Sequence, residues 1–278
     1  MTPPPATITI LVDNQAGAGL VAEHGLALWI ETEGGPLLFD TGQGTALPAN
    51  ARTLGVDLGR TAHLVLSHGH YDHTGGIPHV LAAAPRVQVH CHPGVVQPRY
   101  RRRAAAAKAI HMPPPAMAAL GHLPDNQLHW ISAGARLTEA IGLTGSIPRR
   151  TAFEDTGGPF FRDPQTLHRD PIDDDLALWI RTGAGLVVCV GCCHAGLVNT
   201  LACIRRLSAA QHIHAVVGGL HLQNADPRRL EETVTALERM AVGYLIPCHC
   251  TGQAAVSFLK STLGRMVVPG SSGMTLRF

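Results

Sequence analysis

Aromatic side chains are scarce in this chain, at 4% of residues, so Ala, Gly and aliphatic side chains have to fill its interior. Charge is also modest, at 15%, while a hydrophobic share of 45% is ample for a core, which excludes disorder over the bulk of the chain. No excess of one sign is present. The 22 Lys and Arg against 20 Asp and Glu give a formal charge of +2, which argues against a surface built generally for nucleic acid. No apolar run reaches the roughly 20 residues needed to cross a bilayer, and Met1-Thr2-Pro3-Pro4-Pro5 has neither the charged start nor the apolar stretch of a secretory leader. A cytoplasmic protein without membrane contact is expected. A disulfide framework is missing too: the seven cysteines (Cys91, Cys189, Cys192, Cys193, Cys203, Cys248, Cys250) are odd in number and gather around prospective ligands, as reduced thiols do in a cytosol.

Histidine, by contrast, is abundant. The seventeen imidazoles would add much positive charge near pH 6 unless metals or burial hold them neutral. Residues 67 to 76 read S-H-G-H-Y-D-H-T-G-G, in which His68, His70, Asp72 and His73 form H-x-H-x-D-H. Three imidazoles and a carboxylate so close together are costly to leave unpaired, and a metal site is the compact explanation. His68 and His70 converge on one ion if the backbone between them turns at Gly69, while Asp72 and His73 point apart and suit a second ion. Two divalent ions are expected, with Asp72 counted both as a ligand and as a catalytic carboxylate.

The rest of the chain places this motif. Strands are predicted over 7–12, 25–31 and 36–39, with Gly34-Gly35 as a hairpin, then a helix over 45–54, a strand over 63–66, a helix near 77–83 and a strand over 86–90. Regular alternation returns with strands at 176–181 and 186–190, a helix from 197, a strand at 214–217, a helix at 227–240, a strand at 244–247 and a helix at 253–262. The helix at 227 has Asp226 as N-cap, Pro227 at its first position and one apolar face of Leu230, Val234, Leu237 and Met240 or Ala241. Three later histidines, His194, His221 and His249, each follow a predicted strand, so parallel strands would carry them to the edge that holds the first motif. Residues 97–150 break the rhythm with a basic, Ala-rich segment (Arg99 to Ile110, including Arg101, Arg102, Arg103 and Lys108), then Pro113-Pro114-Pro115. An insertion that covers the site is expected there, with a solvated helix and linker as the alternative.

The H-x-H-x-D-H motif, with Phe39-Asp40-Thr41-Gly42 before it and histidines after later strands, resembles the metallo-β-lactamase-fold superfamily of metallohydrolases. Leu11-Val12-Asp13-Asn14, Glu23-His24-Gly25, Gly191-Cys192-Cys193-His194-Ala195-Gly196, Gly218-Gly219-Leu220-His221-Leu222 and His249-Cys250-Thr251-Gly252 are similar to a narrower branch. That branch contains 7,8-dihydropterin-6-methyl-4-(β-D-ribofuranosyl)aminobenzene-5′-phosphate synthase. The resemblance runs from about residue 7 to the C-terminus, with 97–150 unmatched. It implies a single α/β domain over 1–278, an αββα sandwich of two packed sheets with helices outside. It also implies that His249 is the last metal histidine and that Asp40 hydrogen-bonds a metal histidine. Where the superfamily has a bridging aspartate this chain has Cys192, with His194 two residues on. Either could substitute, and His194 is preferred because a bound thiolate is prone to oxidation. The middle ligand falls among Asp173, Asp174 and Asp175; Asp174 matches the branch best, with a turn or capping role as the alternative.

Three functions are compatible with these residues. The first is a metal-dependent hydrolase that uses a dinuclear-metal-activated hydroxide on a small, anionic ester or phosphoester. Zinc is the first choice of metal, with iron, manganese or magnesium as alternatives, since loss of a hard carboxylate moves preference away from magnesium. The second is a synthase-like transferase that releases pyrophosphate from a pterin substrate, with Arg101, Arg102, Arg149 and Arg150 binding phosphates. The third is a non-catalytic or redox metal protein built around Cys192, Cys193, Cys248 and Cys250. His221 is read first as a substrate contact, with ligand, proton donor and structural residue as alternatives. His24, His90 and His92 carry no motif.

Overall fold

A computed structural model describes residues 5–102, 106–210 and 212–278; Arg103 of the basic run and the first four residues lie outside them. The N-terminal part holds strands β1 (Thr7–Val12), β2 (Ala27–Thr32) and β3 (Gly35–Phe39), helix α1 (Ala46–Thr53), β4 (His63–Val65), the short α2 (Tyr71–Thr74), α3 (Ile77–Ala83) and β5 (Gln88–Cys91). The middle holds β6 (Tyr100–Arg102), β7 (Ala107–Ala109), α4 (Pro114–Gly121), β8 (Leu128–Trp130), β9 (Ala135–Arg136), β10 (Ile141–Leu143) and β11 (Phe160–Phe161). The remainder holds β12 (Ala177–Thr182), β13 (Gly185–Val190), α5 (Leu197–Ser208), β14 (Ile213–Gly219), α6 (Pro227–Arg239), β15 (Tyr244–Cys248), α7 (Gln253–Leu263) and β16 (Thr275–Arg277).

Two sheets carry the fold, one ordered β16-β1-β2-β3-β4-β5-β8 and the other β15-β14-β13-β12-β10-β9. Alternation along the strands sorts their side chains into layers. Ile8, Ile10, Leu28, Ile30, Leu37, Phe39 and Val65 of the first sheet meet Leu178, Ile180, Val187, Cys189, Ala215, Val217 and Ile246 of the second in one buried cluster between the sheets. The opposite faces are covered by helices: α1, α3 and α4 on the first sheet, α5, α6 and α7 on the second. The expected αββα sandwich is therefore the observed architecture. Each fully buried Leu, Ile or Phe contributes about 1.5–3 kcal/mol of burial, which lets aliphatic residues do what scarce aromatics do not.

In each sheet an antiparallel start gives way to parallel strands. The strands β3, β4 and β5 are parallel to one another, as are β13, β14 and β15. Helices make the crossovers, so the carboxyl ends of these strands open along one rim, and the loops there carry the histidines. At α6 the expected signals are seen: Asp226 accepts a bond from the Arg229 amide at 2.7 Å, Pro227 opens the helix, and Val234 and Leu237 are buried.

Residues 97–150 differ from the expected insertion. Only β6 and β7, joined by β11, form a separate three-stranded sheet beside the rim. The rest is structural: Ala116 and Leu120 bury one face of α4 in the first helical layer beside Met112, β8 extends the first sheet, and Ile141 and Leu143 of β10 enter the sandwich. Strands of two or three residues, interrupted by Pro and Gly, leave too short a pattern for periodicity to reveal. Among the described residues no helix is long and apolar enough to cross a membrane.

Candidate metal centre

The motif follows β4. Gly69 is demanded by space rather than by a turn, since a Cβ there would stand 2.1 Å from the Val95 carbonyl oxygen and 2.9 Å from Arg99 Nη1. His70 then caps α2, whose single turn presents Asp72 and His73. Asp40, at the end of β3, accepts three hydrogen bonds: from the Ser67 amide (2.7 Å), from Ser67 Oγ (2.7 Å) and from His73 Nδ1 (2.7 Å).

This network assigns the tautomers. A carboxylate only accepts, so His73 carries its proton on Nδ1 and offers the Nε2 lone pair, which lies 3.1 Å from Cys192 Sγ. Ser67 Oγ spends its proton on Asp40 and therefore accepts from His68 Nδ1 at 2.9 Å, leaving the His68 Nε2 lone pair to face His70 Nδ1. His194 Nδ1 donates to the Thr156 carbonyl at 2.8 Å, and His249 Nδ1 donates to Asn14 Oδ1 at 2.8 Å. Four imidazoles thus turn an Nε2 lone pair inward.

Two of those lone pairs, on His194 and His249, meet no hydrogen-bond partner. Buried nitrogens without a hydrogen-bond partner include His70 Nε2, His194 Nε2, His221 Nδ1 and His249 Nε2, which make up four of the seven such side-chain atoms among the described residues. His68 Nε2 and His70 Nδ1 face each other at 2.9 Å, and the His194 ring lies 4.8 and 4.9 Å from the rings of His68 and His70. Burial holds His68, His70 and His194 well below the usual imidazole pKa, with neighbouring positive groups (Arg99 beside His70, other imidazoles beside His68 and His194) adding to it, so they are neutral as ligands must be. His73 differs: burial pulls it down, but Asp40 outweighs this and lifts it to about 9 in the metal-free protein. A cation held beside Nε2 would supply the positive charge that Asp40 otherwise draws from a proton.

The donor atoms fall into sets that span less than 4.8 Å. His68, Cys192 and His194 make one, His73, Cys192 and His249 a second, and His24, Asp72 and His249 a third. The Cys192 sulfur belongs to both of the first two sets and the His194 imidazole, preferred from sequence, to the first, so the sets take in both candidates. Asp72 Oδ2 lies 3.1 Å from His24 Nε2 and 3.5 Å from His249 Nε2. Burial would raise the Asp72 pKa, yet the neighbouring imidazoles of His24 and His249 hold it well below the carboxylate range. His24 carries no motif of its own; its place in Glu23-His24-Gly25, beside a rim loop, was the only signal.

Asp174 falls in none of these sets. Its oxygens are taken by Arg99 Nη2 (2.5 Å), Arg99 Nη1 (2.7 Å) and the Gly69 amide (2.9 Å), while Arg99 Nε bonds Asp170 at 2.8 Å. Arg99 is 1% exposed, so the first arginine of the basic run is a buried anchor beneath the metal loop. Asp173 is exposed near Arg162. Asp175 is buried, which raises its pKa to about 7, and accepts from the Ala195 amide at 2.7 Å.

The expected substrate arginines separate. Arg101 lines a cavity of about 400 Å³ above the cluster, together with Lys108, Tyr71, Phe160, Gln223 and His221. Arg102 turns away, with its guanidinium 5.0 Å from the Phe161 ring and bonded to Thr166. Arg149 donates to the carbonyls of His194 and Pro171, so it braces the rim. Lys108 stands 5.0 Å over the Tyr71 ring.

The cysteines separate as well. Cys193 faces Thr200 at 3.5 Å and Cys248 joins the inter-sheet core, whereas Cys192 and Cys250 border the cavity. Burial pushes the Cys192 thiol up; Cys250 is brought down against its burial by the Cys192 hydrogen bond and the imidazoles of His221 and His249. Backbone strain is concentrated here too. Asp40 (φ 62°), Cys193 (φ 59°), His221 (φ 46°) and His249 (φ 49°) are half of the eight non-glycine residues at positive φ among the described residues. Conformations this costly persist where the surrounding structure enforces them.

Comparison with known proteins agrees with this geometry. The chain is 30% identical over 255 residues to an uncharacterized protein, MJ0448, of Methanocaldococcus jannaschii, covering 91% of this chain and 93% of that one. It is 26% identical over 263 residues to 7,8-dihydropterin-6-methyl-4-(β-D-ribofuranosyl)-aminobenzene-5′-phosphate synthase of the same organism, covering 88% and 87%. The crystal structure of Tm1679, a metal-dependent hydrolase of the β-lactamase superfamily, superimposes with a TM-score of 0.83 at 28% identity over 98% of both chains. The family model of the metallo-β-lactamase superfamily matches residues 21–198, from the loop before β2 to the start of α5. With that match spanning more than half of its length, the chain belongs to the metallo-β-lactamase superfamily.

Proposed function

We propose that this protein is a metal-dependent hydrolase acting on a small anionic ester or phosphoester. The observation that carries the reading is the convergence of buried imidazole nitrogens, each fixed on its far side by a hydrogen bond or left without one, around Cys192 and Asp72. These donors fit two divalent ions. His68, His70, His194 and Cys192 would hold one; Asp72, His73, His249 and Cys192 would hold the other. A thiol among imidazoles favours zinc over magnesium. Such ions lower the pKa of water to near neutrality and polarise the oxygen under attack.

The chain's own groups do the rest. Arg101 on β6, over Phe160, and Lys108 on β7, over Tyr71, bind the anionic end of the substrate at the mouth. Ile110, Tyr71 and Phe160 form an apolar wall that limits water beside the reacting bond. Asp72, kept ionised, orients the attacking water and accepts its proton. Elemental analysis of the freshly purified protein and of His68→Ala tests the reading. Up to two ions per chain, depleted in the variant and accompanied by loss of ester or phosphoester hydrolysis, is the expected result. A folded chain that binds no divalent metal would refute it.

A transferase reading has one observation in its favour. A second cavity of about 280 Å³, lined by Asp13, Gln15 and Gln253, shares Asn14, Gln223 and His249 with the first, which gives room for two reactants. Release of pyrophosphate from a pterin pyrophosphate, dependent on an aminobenzene co-substrate, would select it.

A further inference from the structure

Cys250 and His221 belong to none of the ligand sets that the proposed hydrolase uses, yet both are held with care. His221 sits at φ 46°, and its ring fills space that only a glycine at 157 leaves open, since a Cβ there would lie 1.8 Å from His221 Cδ2. Its Nδ1 is buried without a hydrogen-bond partner. Cys250 follows the strained His249, and its sulfur reaches the rim because Gly219 lacks a side chain; a Cβ there would stand 2.6 Å from Cys250 Sγ. One donor atom from each of Cys192, His221 and Cys250 lies within 4.8 Å of the others. All three residues line the large cavity, so an ion can reach them from solvent.

We propose that Cys192, His221 and Cys250 form a sulfur-rich corner of the centre that binds a thiophilic divalent ion. The inference rests on the metal-centre reading above and extends it to donors that reading leaves idle. Two sulfurs and one imidazole suit such an ion chemically: Cys250 gives up its proton on binding and adds its thiolate to that of Cys192, which the imidazole sets share. Three protein donors leave a further position toward the cavity, the arrangement by which an ion can take another molecule as ligand. The corner thereby assigns His221 to the ion rather than to substrate. Sharing of Cys192 ties it to both imidazole sets.

The test strips the full-length protein with a chelator, reduces it and titrates it with Co(II). Wild type should develop a near-ultraviolet sulfur-to-cobalt charge-transfer band. Cys250→Ser should keep only about half of its intensity, because one of two thiolates is gone. His221→Ala should need more Co(II) to reach the same band. A Cys250→Ser titration that superimposes on wild type would overturn the proposal, as would reduced wild type that binds Co(II) with no sulfur band. Circular dichroism checks that each variant folds. Cd-113 NMR of wild type, which needs no variant, should give a resonance in the range of two-sulfur coordination; its absence counts against the corner. Failure of the hydrolase reading is separable. In that event His68→Ala keeps full metal content, whatever Cys250→Ser does.

Discussion

Asp174→Asn separates a ligand from an anchor. The Asp174 carboxylate is fully buried and accepts two bonds from Arg99 and one from the Gly69 amide. Removing one partner of a buried ion pair costs about 3–5 kcal/mol, because the other charge is left uncompensated in a medium that solvates it poorly. Here Asp170 still holds Arg99 Nε at 2.8 Å, so the lower end, about 3 kcal/mol, is expected. For a chain of this size that corresponds to a fall in Tm of about 6–12 °C. Urea unfolding followed by circular dichroism should show a lower midpoint with the same slope, at fixed zinc concentration. Elemental analysis of the folded fraction should show the wild-type metal content. The reverse pattern, one ion lost with stability unchanged, would make Asp174 a ligand after all and refute the anchoring argument.

Asp40→Ala should weaken metal affinity by about 10–100-fold by freeing the tautomers of His73 and His68, read by competition with a chromophoric chelator. Unchanged affinity would remove Asp40 from the network. Lys108→Ala and Arg101→Ala should raise KM for an anionic ester with little change in kcat, while Arg102→Ala, whose guanidinium faces Thr166, should match wild type in steady-state kinetics. Away from the site, burial together with His63 and His129 lowers the His90 pKa to about 3. The unfolded chain therefore takes up this proton first, so the stability that His90 contributes is complete above pH 6.5 and is lost as pH falls toward 3, by up to about 1.4 kcal/mol per unit. His90→Gln should flatten the slope of unfolding free energy between pH 6.5 and 5; parallel slopes would show that His90 is not its source.

Much of the fold was legible because its main strands and helices are long enough to show a period. β1, β12, β13 and α6 fall where alternation or a helical face puts them, within a residue or two. The H-x-H-x-D-H motif was equally legible, since its spacing is local. What stayed hidden depends on contacts between distant segments. Arg99 and Asp174 are 75 residues apart, and only the folded chain shows that the charge of one cancels the other. That Cys192 enters more of the donor sets than His194 depends on where each side chain points, which residue type alone does not give. His24 entered from a loop with no pattern of its own. Residues 112–143 defeated the reading for a different reason, because their strands are too short to carry a period.

The division of the donors between the two sheets has a consequence for assembly. His68, His70, Asp72 and His73 come from the first half of the chain, and every donor set that includes one of them also takes Cys192 or His249 from the second. A nascent chain that has emerged only through β5 therefore displays the whole motif and still cannot close a set around an ion. The donor sets come into being when the sheets dock, and an ion held there would clasp the rim of the sandwich. Metal uptake by the proposed centre would therefore report that the two halves of a molecule have found each other.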